Sequence, residues 1–593
     1  MPLQDYGLAQ GKRAPEEPGV DTMSVQAVIP PTSVAASTRS AARTTAWYSK
    51  YKVLILLMFL MLPLRLHWML TQTPVISGEG AEYVRMAESL ASGHGLRGNF
   101  EGPETMYTPL YSVLVAGLHR LIGNSELAAH VVSIIFGTAL IIPVFLIAQR
   151  MYGMRVAYLS AGLVAFHPLL IALSGSIYNE NVYLPLLLTG VYFGMRALEF
   201  RKIRDYVLLS LFFGLAYLTR PEAFAYPVFF ALAVWASVFV VRLPARKALV
   251  GSVLILGTFL LVASPYIGFL YAHTGHLRLE GKWNINYTIA NRLRSGMSDL
   301  EAANGLGPNS SVAGPILDPF HFASYTPYPG SLTAKFQTLW SMAKRNRKLA
   351  LACLGDFTSG GLLAWGLALL GLFRKSWNAR RLFHESIIIC MVCSVLILLF
   401  TASHCEFRYT LPLVALSVMW VAKGIEESAQ WARDSVRGLP WRSLQNAETV
   451  NPLVAAGLVL LLLGVAHSGA RKNWMFEQEQ TTHENVKQAA LWLRNFDPEP
   501  KRIACHATMF TFYARGTLIG LPYASGSQAL RYLDLNGVDF IVLDSYYASG
   551  LPEVTEWIQH GIPDDRAHLL YKTGTDLDDT VEIYRWEPRR RQD

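Results

Sequence analysis

SGEGAEYVRMAESLASGHGLRGNFEGPETMYTPLY, residues 77–111, places two carboxylates, Glu79 and Glu82, in a polar stretch directly after the first long apolar run of the chain. The order of features within it is distinctive: a carboxylate, then Tyr83, an amphipathic helix over 81–92, a Gly-rich turn, and the aromatic step Tyr107-Thr-Pro-Leu-Tyr111. In 81–92, Tyr83, Val84, Ala87, Leu90 and Ala91 fall on one helical stripe, so Glu82, Arg85 and Glu88 are expected to face away from it.

Outward from this stretch the chain is apolar. Of 593 residues 52% are hydrophobic and only 16% charged, which excludes an ordinary soluble enzyme and points to a polytopic membrane protein. The net charge of +9 is not a nucleic-acid footprint, because residues 471–593 hold 14 Lys plus Arg against 18 Asp plus Glu. The excess base therefore lies among the apolar runs, clustered in their short connections as the positive-inside rule describes.

Candidate spans fall at 53–69, 127–149, 154–173, 181–199, 205–219, 221–241, 248–271, 348–373, 384–402, 408–424 and 450–469, about 11 in all, several reaching the ~20 residues that cross a bilayer core. With the N-terminus cytoplasmic, Arg150 and Arg155, Arg201 to Arg204, Arg242 to Lys247, Arg374 to Arg381, and Lys423 to Arg442 share one side. This holds only if 109–123 lies along the surface instead of crossing. Residues 1–48 have the composition of a disordered cytoplasmic segment. The membrane domain is expected over 49–469, with external loops 70–126 and 272–346, the latter a long loop rich in Gly, Asn, Ser and Pro.

An odd number of spans leaves 470–593 outside as a small α/β domain. It is expected to open with a helix over 481–494, in which Thr481 and Glu484 have capping-box spacing, followed by strands near 502–507, 538–544, 568–572 and 580–586. Cys353, Cys390, Cys393, Cys405 and Cys505 are too scattered for a disulfide framework. Cys390 and Cys393 read as small buried hydrophobes, while Cys405 and Cys505 could share an oxidising compartment. Asn286 and Asn309 head glycosylation sequons. Asp576 and Asp578 form an Asp-x-Asp pair at a turn between two strands, as solvated turn residues do.

The loop from Glu79 to Tyr111 resembles the first external loop of polyprenyl-phosphate-sugar glycosyltransferases of the GT-C type, nearest to the protein O-mannosyltransferase and lipid A aminoarabinose transferase group, glycosyltransferase family 39 and its relatives. The resemblance implies an α-helical GT-C membrane fold with horizontal helices in that loop. It also implies transfer of a sugar from a polyprenyl-phosphate donor to an acceptor hydroxyl on a glycan, lipid or protein, at the outer face of a bacterial inner (plasma) membrane. Glu79, four positions before Tyr83, matches the family's acidic base, although Asp is usual there. Glu180, in SIYNENVYL, matches the acid of the second external loop. Arg220 and Glu222, in LTRPEAF, and Arg408 and Tyr409, in HCEFRYTLP, match turns where relatives carry a base. Tyr83, Tyr107 and Tyr111 then fall among the substrate-binding residues, and either arginine suits a lipid phosphate.

Met106 and Tyr107 stand where the aminoarabinose branch carries Glu-Lys, so that branch's metal and phosphate ligands do not carry over. Glu104, His94, His273 and His276 match no motif, so no cofactor is certain, and a divalent metal stays open without an identified ligand set. Two other readings remain beside the transferase. A lipid-linked sugar flippase or other transporter would place charged or broken helices at mid-membrane, and a non-catalytic relative would keep the fold alone.

Overall fold

The computed structural model describes residues 32–593 apart from 241, 307–313, 318, 320–330, 357–359, 403–406, 438–446, 472–482, 549, 575–578 and 588–593. The chain divides into two compact units, Met1–Val53 and Leu54–Asp593. Within the first, helix α1 begins at Thr32 and runs on to Gln72, so part of the stretch expected to be disordered is helical. Every element after α1 belongs to the second unit.

α2 (Gly78–Ala91) starts three residues earlier than the apolar stripe suggests, because the Ser77 hydroxyl caps it by accepting from the Gly80 N–H. α3 (Leu110–Ile122) is only 13 residues long and apolar. It packs on α2, with the Ser112 hydroxyl donating to the Tyr83 carbonyl at 2.9 Å. Next come α4 (Ser125–Ala139), α5 (Ile141–Tyr152), α6 (Met154–Phe166), α7 (Pro168–Gly175), α8 (Glu180–Phe200), α9 (Ile203–Tyr217), α10 (Ala225–Val240) and α11 (Ala245–Thr274). Six helices, or seven if α6 and α7 form one span bent by 54°, are long and apolar enough to cross a membrane among the described residues, fewer than the 11 expected.

Two of the expected runs are interrupted locally. Pro168 pushes His167 out of the α region, to φ −65° and ψ 120°, and breaks the 154–173 run. The 348–373 run separates into the ends of two helices, Leu332–Asp356 and Gly361–Phe373, where Gly361 adopts φ 50°. Glycine elsewhere tightens the bundle. Gly424 lies so near the neighbouring helix that a Cβ would sit 1.9 Å from the Leu367 carbonyl oxygen, so the two backbones touch. Large apolar side chains such as Phe59, Phe239 and Leu362 point away from the protein, as lipid-facing surfaces do. Cys390 and Cys393, expected to be buried, are also exposed on Ala379–Thr401. The chain is an integral, multi-pass membrane protein.

The 272–346 stretch is not a bare loop. It carries α12 (Trp283–Arg294), α13 (Asp299–Asn304) and the start of Leu332–Asp356, with a small core of Ile285, Ile289, Leu293, Ala302 and Met342. Asn286 is exposed on α12; Asn309 lies outside the described residues.

The C-terminal region folds as a five-stranded sheet in the order β2-β1-β3-β5-β4, comprising β1 (Arg502–Cys505), β2 (Thr517–Gly520), β3 (Phe540–Asp544), β4 (Ala567–Thr573) and β5 (Val581–Trp586). The first three strands are parallel, while β5 runs antiparallel to β3 and β4. β2 has no counterpart among the strands expected from sequence, since four residues give too short a run to read. The helix before the sheet is Glu484–Phe496, and His483 gives it no side-chain cap; Thr481, with the expected capping box, lies outside the described residues. Cys505 is a free, buried thiol, and Cys405, Asp576 and Asp578 lie outside the described residues.

Candidate active site

Four separate segments converge beside α2. Glu79 lies in its first turn, Glu180 opens α8, Arg220 precedes the 3-10 turn Pro221–Phe224, and Arg408 sits in the 3-10 turn Phe407–Thr410 that leads into Leu411–Arg437. Arg408 donates from its two terminal nitrogens to the two Glu79 oxygens at 2.5 and 2.7 Å, a fork-on-fork pair. Its Nε lies 4.0 Å from Glu180 Oε1. Arg220 pairs with the same Glu180 oxygen and with Glu222 at 2.9 Å, so five charged side chains form one chain of ion pairs. Glu180 is 1% exposed, and its Oε2 accepts no hydrogen bond among the described residues.

Aromatic rings line these charges. Arg220 stands 5.4 Å from the Tyr409 ring centroid and 5.8 Å from that of Tyr183, and Arg408 stands 5.7 Å from that of Tyr178. Tyr83 makes edge contacts with Tyr107 and Tyr111, both at 5.3 Å between centroids. Tyr83 lies in the field of Glu79 and Glu180, and burial first, then those carboxylates, keep its hydroxyl un-ionised. The Tyr111 hydroxyl meets the Ala129 carbonyl and Ser133 on α4, so this expected substrate contact is committed to packing.

The electrostatics of Glu79 are set by opposing effects. Burial alone would raise its carboxyl, but the positive charges of Arg408, Lys282 and Arg220 and the Arg408 hydrogen bonds outweigh it. The group is held far below the ordinary carboxylate range, ionised at any working pH.

Glu82 does not face away from the apolar stripe as its helical position suggests. It is 1% exposed and accepts from the Asn99 N–H at 2.9 Å, because the stretch after α2 folds back over that side of the helix. Gly98 permits this return, since a Cβ there would meet Glu82 Oε2 at 2.2 Å and Glu104 Oε2 at 2.9 Å. Glu104, 4% exposed, accepts from the Met106 and Tyr107 N–H groups and so shapes the turn that presents Tyr107. Burial, and for Glu82 also the charge of Glu104, holds both carboxyls well above the ordinary range. These two carboxyls are the residues here that could take up a cation, but among the described residues no three His, Cys, Asp or Glu side chains converge as a metal set.

The C-terminal sheet region closes on α2. Its helix Thr508–Ala514 receives two hydrogen bonds from Arg85, to the Thr511 and Phe512 carbonyls at 3.0 and 3.3 Å. The Tyr513 hydroxyl accepts from the Ile76 N–H at 3.1 Å, just ahead of α2, and donates to Glu126. Arg515 pairs with Glu88 at 3.2 Å. Sequence reasoning missed this clamp and the Glu82–Glu104 pair, both of which depend on contacts between distant segments. It also missed Lys282, whose ammonium lies 4.3 Å from the Tyr107 ring centroid. A lone base after α11 carries no periodic signal.

A sequence model described as dolichyl-phosphate-mannose-protein mannosyltransferase matches residues 106–268, a stretch holding Tyr107, Tyr111, Glu180, Arg220 and Glu222 but neither Glu79 nor Arg408. Among solved structures, the oligosaccharyltransferase AglB from Archaeoglobus fulgidus, in complex with an inhibitory peptide and a dolichol-phosphate, is 13% identical. It superposes with a TM-score of 0.56 over 91% of this chain and 75% of that one. ArnT from Cupriavidus metallidurans in the apo state is also 13% identical, with a TM-score of 0.54 over 91% of this chain and 98% of that one. No curated protein matches the chain. Like these two structures the chain has the fold of the GT-C class, and its likeness in sequence to the protein mannosyltransferases lies within residues 106–268.

Proposed function

We propose that the chain transfers a sugar from a polyprenyl-phosphate donor to an acceptor hydroxyl on a glycan, lipid or protein, at the external face of the membrane and with inversion. The observation that carries this reading is the meeting of a carboxylate, Glu79, with two guanidinium groups, Arg408 and Arg220, at one place beside the membrane helices. Glycosyl transfer from a lipid phosphate requires a base for the acceptor and positive charge for the departing phosphate. The site offers both within one ion-pair chain, and the lipid phosphate in the AglB complex, a dolichol-phosphate, supports the reading.

In this reading Glu79 accepts the proton of the acceptor hydroxyl. That oxygen forms its bond to the anomeric carbon as the bond from that carbon to the phosphate oxygen breaks, and the electron pair leaves on the polyprenyl phosphate. Arg408 and Arg220 stabilise the charge gathering on the phosphate, while Glu180 and Glu222 hold the two arginines in position. Glu79 must first be released from the Arg408 fork, and an arriving phosphate competes for that fork. Residues 49–469 serve as the membrane transferase domain and 470–593 as an external soluble domain, with the N-terminus cytoplasmic and the protein in a bacterial inner (plasma) membrane.

Mass spectrometry of lipid-linked sugars and envelope glycans, in cells with and without the gene and with wild type or Glu79→Gln restored, tests this. Accumulation of one polyprenyl-phosphate sugar with loss of one glycan modification, reversed only by wild type, is the expected result. Unchanged lipid-linked sugars in the deletion would turn the reading toward a transporter or a non-catalytic protein.

A further inference from the structure

Lys282 ends the short stretch between α11 and α12, and among the described residues no carboxylate pairs with it. Its backbone is held from two sides. Gly281 packs so closely on Thr105 that a Cβ would lie 1.9 Å from the Thr105 carbonyl oxygen, and the Tyr217 hydroxyl donates to the Leu279 carbonyl. The side chain is half-buried, and its ammonium rests 4.3 Å from the centroid of the Tyr107 ring, itself 7% exposed. Its backbone is thus anchored, while its ammonium rests on a ring and is held by no ion pair among the described residues.

The charge balance gives that cation a role. Glu79, Glu180 and Glu222 are held by ion pairs to Arg408 and Arg220. Left to themselves these five groups are net negative and would repel an arriving anion, the more so where water is scarce. The charge of Lys282 reaches Glu79, Glu104 and Glu280 and completes the balance. An ammonium on an aromatic face is held less strongly than one hydrogen-bonded to a phosphate oxygen, so it can move from ring to phosphate without breaking an ion pair.

We propose that Lys282 is the cation that takes the phosphate of a lipid-linked donor, leaving the face of Tyr107 to donate to a non-bridging phosphate oxygen while Glu180 and Glu222 keep Arg220 in place. This inference rests on the reading of the site as one for a lipid-phosphate donor and adds to the two arginines a third cation, one that can reach the phosphate without leaving an ion pair.

Binding of undecaprenyl phosphate and of uncharged undecaprenol to the full-length protein in nanodiscs, compared for wild type, Lys282→Met and Lys282→Arg, tests it. Lys282→Met is expected to weaken phosphate binding about tenfold, as for one charge-assisted hydrogen bond. It should leave undecaprenol binding unchanged, a pattern that a folding defect would not give, and Lys282→Arg should retain most of the affinity. Phosphate binding by Lys282→Met within about twofold of wild type overturns the proposal and leaves the donor reading intact. A wild type with no preference for the phosphate over the alcohol overturns the donor reading and, with it, this one. Millimolar inorganic phosphate should not displace the lipid; displacement would make the site a general anion site and overturn the lipid assignment.

Discussion

Arg408 holds Glu79 through both terminal nitrogens, at 2.5 and 2.7 Å, across 329 positions of sequence. Substituting either partner removes the same pair, so their effects on transfer should not add. Glu79→Gln is expected to lower the transfer rate by about 10²–10⁴, the range for loss of a general base. Arg408→Gln should lower it comparably, and the double variant should fall well short of the product. Single-turnover rates with a defined lipid-linked sugar check this, and simple additivity would separate the two roles.

Glu180 is almost fully buried and shares one oxygen between two arginines. Glu180→Ala removes the carboxylate that lies between Arg220 and Arg408 in the ion-pair chain, and breaking such a buried pair costs about 3–5 kcal/mol. Thermal unfolding in detergent should show a large loss for Glu180→Ala, with Glu180→Gln intermediate. A Glu180→Ala protein as stable as wild type would show that the pair contributes nothing to the fold.

Glu82 and Glu104 should make stability fall with rising pH. Both carboxyls are raised in the folded protein, to about 8 and about 7, by burial, with the charge of Glu104 adding to it for Glu82. Between the ordinary carboxylate range and those values the folded state binds more protons than the unfolded one, so the stability present at acid pH is lost as pH climbs toward 8. Melting temperature measured from pH 5 to 8.5 should decline, and Glu82→Gln or Glu104→Gln should flatten the decline. Both amides keep an oxygen to accept from Asn99, or from Met106 and Tyr107. A slope unchanged in both variants would remove the pair from the explanation.

Arg85 joins the helix that carries Glu79 to the carbonyls of Thr511 and Phe512. Arg85→Met keeps the apolar stem and loses both hydrogen bonds, which should cost about 1–3 kcal/mol for bonds to a charged group. Transfer should fall with it, since Glu79 sits less than two turns away on the same helix. Protease protection of residues 484–587 in membranes, compared with wild type, reports whether the clamp has opened.

The sequence yields the parts of the site that are local. Glu79, Glu180, Arg220, Glu222, Arg408 and Tyr409 each sit at a helix end or tight turn beside an apolar run, and they meet in space. What it does not yield is set by long-range contact. Glu82 looks outward on a helical wheel because nothing in 81–92 reveals that Gly98 and Glu104 fold back over it. Lys282 gains its meaning from distant partners: Gly281 before it packs on Thr105, and its ammonium rests on the Tyr107 ring. Two of the expected spans, 154–173 and 348–373, are interrupted at Pro168 and at Gly361, which the mean apolarity of the runs does not reveal.

The contact between Ile76 and Tyr513 spans 437 positions. During synthesis, α2 and its carboxylate are laid down early, while Arg408 and the clamping helix Thr508–Ala514 are made only after most of the bundle has been threaded into the bilayer. A chain arrested before its last hundred residues would contain Glu79 with no clamp around it. Assembly order therefore gives α2 a late partner: the contacts that Thr508–Ala514 makes with Ile76 and Arg85 can form only once those last hundred residues have been made and folded.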